Sequence, residues 1–176
     1  MTVQELILKD KSFNSEIFMV KANDMIKRVY NALALDELDK INHFISDRVY
    51  KKLETQLNSV KANDCQLVYD DLITNVTITD IRMDLDSYRI ITSVRVNCLR
   101  YIKSKKDGSV VGGNINSRSS LTNEVVFKRK KNVEERVTNR CYGCGTTFDI
   151  NQSGICPVCG RVYDLEEIDY YIDEFE

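Results

Sequence analysis

The residues best equipped for chemistry are cysteines. Four of the chain's 6 cysteines fall in two C-x-x-C-G units, Cys141-Tyr142-Gly143-Cys144-Gly145 and Cys156-Pro157-Val158-Cys159-Gly160. A C-x-x-C unit puts two thiolates on one tight turn. Two such turns closed by a short hairpin present four sulfurs tetrahedrally at about 2.3 Å from a shared ion, the geometry zinc accepts. The glycine after each second cysteine takes positive φ readily and lets backbone N–H groups turn toward sulfur. A Cys₄ iron centre or a redox dithiol pair is the competing chemistry for the same pattern.

The spacing predicts one structural Zn²⁺ per chain on Cys141, Cys144, Cys156 and Cys159. All four coordination positions are filled by cysteine, so the site is closed and not hydrolytic. A segment of about twenty-five residues this poor in apolar side chains cannot form a core alone, and metal binding worth about 10–16 kcal/mol can fold it. Four thiolates around Zn²⁺ leave a local charge of −2, which Arg136, Arg140 and Arg161 can offset.

Other candidates are weaker. The run Lys128-Arg129-Lys130-Lys131 ends a strand, where lysine blunts edge pairing. Its functional alternative is an anionic surface, either lipid head groups or nucleic-acid phosphate. His43 has no partner in sequence and reads as a helix-face or core residue. Asp70-Asp71 and Asp84/Asp86 read as helix-end and turn residues. Cys65 and Cys98 read as small buried hydrophobes. No nucleophile–base arrangement, P-loop or dinucleotide fingerprint is present, so no catalytic residue is assigned.

A chain of 176 residues with 43% hydrophobic and 30% charged residues supports a globular core and excludes the low-complexity classes. Net charge is −2, so no global basic field for nucleic acid exists. From Arg100 to Arg140, however, eleven basic residues face four acids, and the last thirteen residues carry seven acids and no base. No apolar run reaches the roughly 18 residues of a membrane span, and the N-terminus lacks the pattern of a signal peptide. The expectation is a cytoplasmic protein that meets a membrane only from its surface.

The elements that must position these residues follow from periodicity. Phe18, Ala22, Met25, Val29 and Leu33 mark a long amphipathic helix over 13–35. A short second helix follows from Asp36, and a third from Ser46 with Val49, Leu53 and Leu57 inside. After Asp71 the period changes to two. Strands are expected over 75–85, 87–103 and 120–131, with a hairpin turn at Asp107-Gly108 and a last strand in the acidic C-terminus. Tyr88, Ile90, Thr92, Val94, Val96 and Cys98 form the inner face of the second of these strands. The fold class is α+β: three N-terminal helices packed in a curved antiparallel sheet, cone-like, with a Cys₄ zinc ribbon inserted before the last strand. Residues 1–137 plus 164–176 form the cone domain, with an apolar pocket at its open end, and 138–163 form the ribbon.

The run SFNSEIFMVKANDMIKRVYNALALDELDKINHFISDRVYKKLETQL resembles the opening of the Tim-forty-four-like domain. Phe13, Phe18, Ala22, Ala32, the LDEL step at 35–38 and the HFISDRVYKKL segment at 43–53 carry the resemblance, which extends over about residues 5 to 131 and the last strand. It implies a variant of the nuclear-transport-factor-two-like cone and a non-enzymatic role. The family's mitochondrial members are peripheral on the inner membrane and tether a chaperone to the protein-import channel. Bacterial members are similar in carrying a zinc-ribbon insert.

The leading expectation is therefore a non-catalytic scaffold with a structural zinc site, docking to a protein partner or an anionic membrane surface in connection with protein translocation. Two alternatives stand beside it. One is a small hydrophobic ligand, bound or turned over in the cone. The other is nucleic-acid binding through the ribbon and the basic region.

Overall fold

A computed structural model of the chain describes residues 1–131, 140–141, 143–148, 154–163 and 170–176. The chain is α+β. Three α-helices, α1 (Val3–Lys9), α2 (Ser15–Leu35) and α3 (Asp47–Lys61), precede a five-stranded antiparallel sheet. Its strands are β1 (Cys65–Met83), β2 (Ser87–Ser104), β3 (Val110–Gly113), β4 (Ser119–Lys130) and β5 (Tyr171–Phe175). They run in the order β1-β2-β4-β5, with β3 paired to β2.

Helix α2 forms where expected. Asn14 caps it by accepting the Glu16 and Ile17 N–H groups at 2.9 and 3.0 Å, and Asp36 ends it in the left-handed conformation at φ 58°. Its buried stripe includes Phe18, Ala22, Met25, Ile26, Val29 and Leu33. Helix α1 is an addition to the expected set. It rests on a reciprocal capping box, with Glu5 N–H donating to Thr2 Oγ1 and Thr2 N–H to Glu5 Oε2.

The short second helix is instead two 3₁₀ turns, Leu38–Lys40 and Asn42–Phe44. Leu38, Ile41 and Phe44, all buried, recur every third residue, which is the repeat of a 3₁₀ helix and not of an α-helix. Asp36 closes α2 and so is not available to open a new helix. Ser46 caps α3, accepting from Val49 N–H at 3.4 Å.

Strand β1 begins at Cys65, ten residues earlier than expected. Cys65, Leu67 and Tyr69 already alternate inward. The register shifts between Asp70 and Ile73, and Asp71 adopts φ 55°. That is a β-bulge, which changes the phase of the alternation and disguises the strand in the sequence. Asp71 pairs with Arg118 across this bulge.

The inner face of β2 is as expected: Tyr88, Ile90, Thr92, Val94, Val96 and Cys98 are all buried. The Thr92 hydroxyl donates to the Val125 carbonyl at 2.8 Å, which satisfies it inside the core. Phe18 of α2 meets Phe127 of β4 edge-on at 5.4 Å. Side chains of α2 thus pack on the inner sheet face. A hollow of about 190 Å³ lies elsewhere, between the first 3₁₀ turn and α3, and Asp36, Asp39, Tyr50, Glu54 and Lys61 help to line it.

Strand β5 completes the sheet beside β4, with Phe127 opposite Ile172. Its outer edge is held by the start of α3. Ser46 donates its N–H to the Ile172 carbonyl at 2.9 Å and its hydroxyl to the Asp173 carbonyl at 2.8 Å. Tyr170 and Ile172 are buried, and the half-buried Tyr171 and Asp173 alternate with them; Ile168, which shares their two-residue spacing in the sequence, lies outside the described residues.

Candidate metal centre

The two C-x-x-C-G units fold into matching knuckles. In the first, Gly145 N–H donates to the Cys141 carbonyl at 2.8 Å, and Cys141 N–H to the Thr146 carbonyl at 2.8 Å. In the second, Gly160 N–H donates to the Cys156 carbonyl at 3.0 Å, and Cys156 N–H to the Arg161 carbonyl at 2.8 Å. Gly145 and Gly160 take φ 75° and 71°, the conformation that lets each turn close. A short antiparallel bridge closes each unit, Arg140 with Thr147 and Ile155 with Val162.

The knuckles bring all four sulfurs within 4.8 Å of one another. Cys141 and Cys159 Sγ are 3.6 Å apart, and Cys144 and Cys156 Sγ 3.7 Å. A tetrahedron with metal–sulfur bonds of about 2.3 Å has sulfur–sulfur edges of about 3.8 Å. The donor set and its spacing fit, and the four thiols can hold one metal ion.

The environment of the sulfurs is uneven. Cys141 and Cys156 are buried, whereas Cys144 and Cys159 are exposed. The Tyr163 hydroxyl, followed by backbone N–H groups, draws the Cys141 thiol down to about 6. The Thr146 hydroxyl and N–H lower Cys144. At Cys159 the Arg161 N–H favours the thiolate, but the hydrogen bonds shared with Cys156 and the other thiols outweigh it and push the group up to about 11. Without a cation, four thiols this close do not all ionise. A bound cation removes that conflict.

The second knuckle is fitted tightly to the helical layer. Gly154 has φ 62°, and a Cβ built on it would lie 2.4 Å from His43 Cβ and 2.7 Å from His43 Cγ. His43 is buried and stands edge-on to Phe44 at 5.0 Å. The lone histidine is thus a core residue, as its isolation in the sequence suggests.

The basic run is divided between the two faces of β4. Arg129 faces inward and is 4% exposed. Its guanidinium donates to Ser12 Oγ at 2.6 Å and Tyr170 Oη at 2.7 Å, and Asp10 Oδ2 lies 3.8 Å from its Nε. Arg129 therefore presents no charge to a surface, which corrects its place in the expected anionic-surface set. Lys131 donates to the Asp84 and Leu85 carbonyls. Lys128 lies on the opposite face of the sheet, beside Arg89, and Lys130 is exposed.

Sequence reasoning missed Tyr163, Gly154 and the inward turn of Arg129. The alternation Phe127-Lys128-Arg129 carried the last of these, since Arg129 shares a face with Phe127. Among the described residues, no helix is long and apolar enough to cross a membrane.

No curated protein sequence matches the chain. Among solved structures, the chain is similar to the intermembrane space region of the chloroplast protein ARC6, at 7% identity and a TM-score of 0.48, over 90% of this chain and 94% of that one. A family model, the Tim44-like domain, matches residues 1–140. That match takes in all three helices and the sheet through β4, and by it the chain belongs to the Tim44-like domain family.

Proposed function

We propose that this protein is a non-catalytic scaffold that docks to a protein partner or an anionic membrane surface in protein translocation. Family membership over residues 1–140 carries the reading. In this account the helices sit in a curved, cone-like sheet formed by 1–137 and 164–176. Residues 138–163 are a zinc ribbon inserted before β5, with one Zn²⁺ on Cys141, Cys144, Cys156 and Cys159. The closed Cys₄ set favours a structural ion over a catalytic one. The ribbon fastens the connection between β4 and β5, and its second knuckle seats on His43. Its exposed tip, with Ile155, Val158 and Val162 uncovered, is available for recognition. Lys128 and Lys130 are the residues of the basic run suited to an anionic surface.

In-cell crosslinking of the full chain, followed by identification of the adducts, tests the docking role. Adducts to membrane-translocation components or their chaperones are expected. Adducts confined to nucleic acid would overturn it. Flotation with vesicles containing anionic phospholipid tests the surface branch, with binding expected to fall on K128Q/K130Q and at high salt.

A further inference from the structure

Cys141 receives a hydrogen bond that no metal-ligand spacing announces. Tyr163 Oη donates to Cys141 Sγ at 3.1 Å, beside the Gly143 N–H donating at 3.3 Å. Tyr163 is 2% exposed. Its N–H donates to the Gly154 carbonyl at 2.9 Å, its ring is tilted against Phe148 at 5.9 Å, and the Arg161 guanidinium lies 5.2 Å over that ring. These contacts fix the ring, so the hydroxyl is aimed and not merely nearby. The side-chain contact at Cys144 runs the other way, its Sγ donating to Thr146 Oγ1 at 3.3 Å, and it lies on an exposed sulfur where water competes.

Four thiolates around a divalent ion leave excess negative charge, and at Cys141 that charge is buried. A donor held in a dry site removes part of this cost and orients the sulfur lone pair. Resting on the metal-centre reading above, we propose that Tyr163 is a positioning residue of that centre. Its hydroxyl draws charge off the Cys141 sulfur and holds it on the ion, so that Tyr163 contributes to metal affinity and to the electronic character of one ligand.

The test uses full-length wild type, Tyr163→Phe and Tyr163→Leu loaded with Co²⁺ alone, whose sulfur-to-cobalt absorption reports the ligand directly. Competition against a coloured chelator gives affinity. Tyr163→Phe keeps the ring and loses only the hydroxyl. It is expected to bind about tenfold or more weakly, with the charge-transfer band moved to longer wavelength because the sulfur becomes more electron-rich. Tyr163→Leu loses ring and donor and is expected to bind more weakly still. Fluorotyrosine placed at 163 has a stronger O–H donor and is expected to move the band the opposite way; it keeps the test sharp if the Phe variant folds poorly. Affinity and band position unchanged in Tyr163→Phe and with fluorotyrosine would overturn the inference while leaving the metal centre intact. A wild type that takes up no Co²⁺ would overturn the metal centre and the inference with it.

Discussion

Replacing Gly154 by alanine tests how the second knuckle is seated. Two penalties act on the new methyl group. The residue sits at φ 62°, where a side chain costs about 1–2 kcal/mol. The added Cβ also falls 2.4 Å from His43 Cβ and 2.7 Å from its Cγ. Overpacking of this kind costs about 1–3 kcal/mol after local shifts. The expected loss is therefore about 2–5 kcal/mol. It should be read by chemical denaturation of the metal-loaded protein, alongside the alkylation rate of the buried Cys141 and Cys156. Both readouts should respond, because the second knuckle and the 3₁₀ turn at His43 are one packed unit. His43→Ala in the same background removes the Cγ contact but not the closer Cβ contact, so rescue should be partial. Stability within about 0.5 kcal/mol of wild type, the range of an ordinary surface change, would refute the close seating of Gly154 on His43.

Other expectations follow from the same contacts. Arg129→Met leaves Asp10 buried without its counter-charge and should destabilise by about 3–5 kcal/mol, while Asp10→Asn/Arg129→Met should lose less; equal losses by urea denaturation would contradict the buried pairing. Burial alone would raise the Glu174 carboxyl, but the hydrogen bond from Arg89 and the charges of Arg89 and Arg48 outweigh it and hold the group below its usual 4.5. A depressed carboxylate stabilises fully above its unfolded value, and that contribution is lost as pH falls through the folded value. Glu174→Gln should therefore flatten the acid limb of stability against pH, and parallel limbs for variant and wild type would count against the Arg48–Glu174–Arg89 network. Phe18→Ala removes the ring that meets Phe127 and Tyr170 and should cost about 3–5 kcal/mol in the same assay; a loss typical of a surface site would show that α2 does not pack there.

The parts legible in the sequence are those governed by a single repeating rule. The two-residue alternation from Tyr88 to Cys98 named the inner face of β2, because that face is buried over the whole of this stretch. The three- and four-residue spacing from Phe18 to Leu33 did the same for α2. The paired C-x-x-C-G units named their four sulfurs, since the turn chemistry is local. Elsewhere two rules competed. Asp70-Asp71 has turn composition but forms a bulge, so the first half of β1 was hidden. Leu38, Ile41 and Phe44 follow a three-residue repeat that is easily taken for part of a helix. Charge suggested a surface for Arg129, whereas its position beside Phe127 in the alternation turned it inward. The meeting of Gly154 with His43, and of Tyr163 with Cys141, depends on tertiary placement that local patterns do not encode.

Metal content tests the central claim most directly. Elemental analysis of the full-length protein as purified should give about one zinc per chain, lost on Cys141→Ser or Cys156→Ser together with the ordered fold of the knuckles. A folded protein whose knuckles stay ordered with no bound metal would contradict the account.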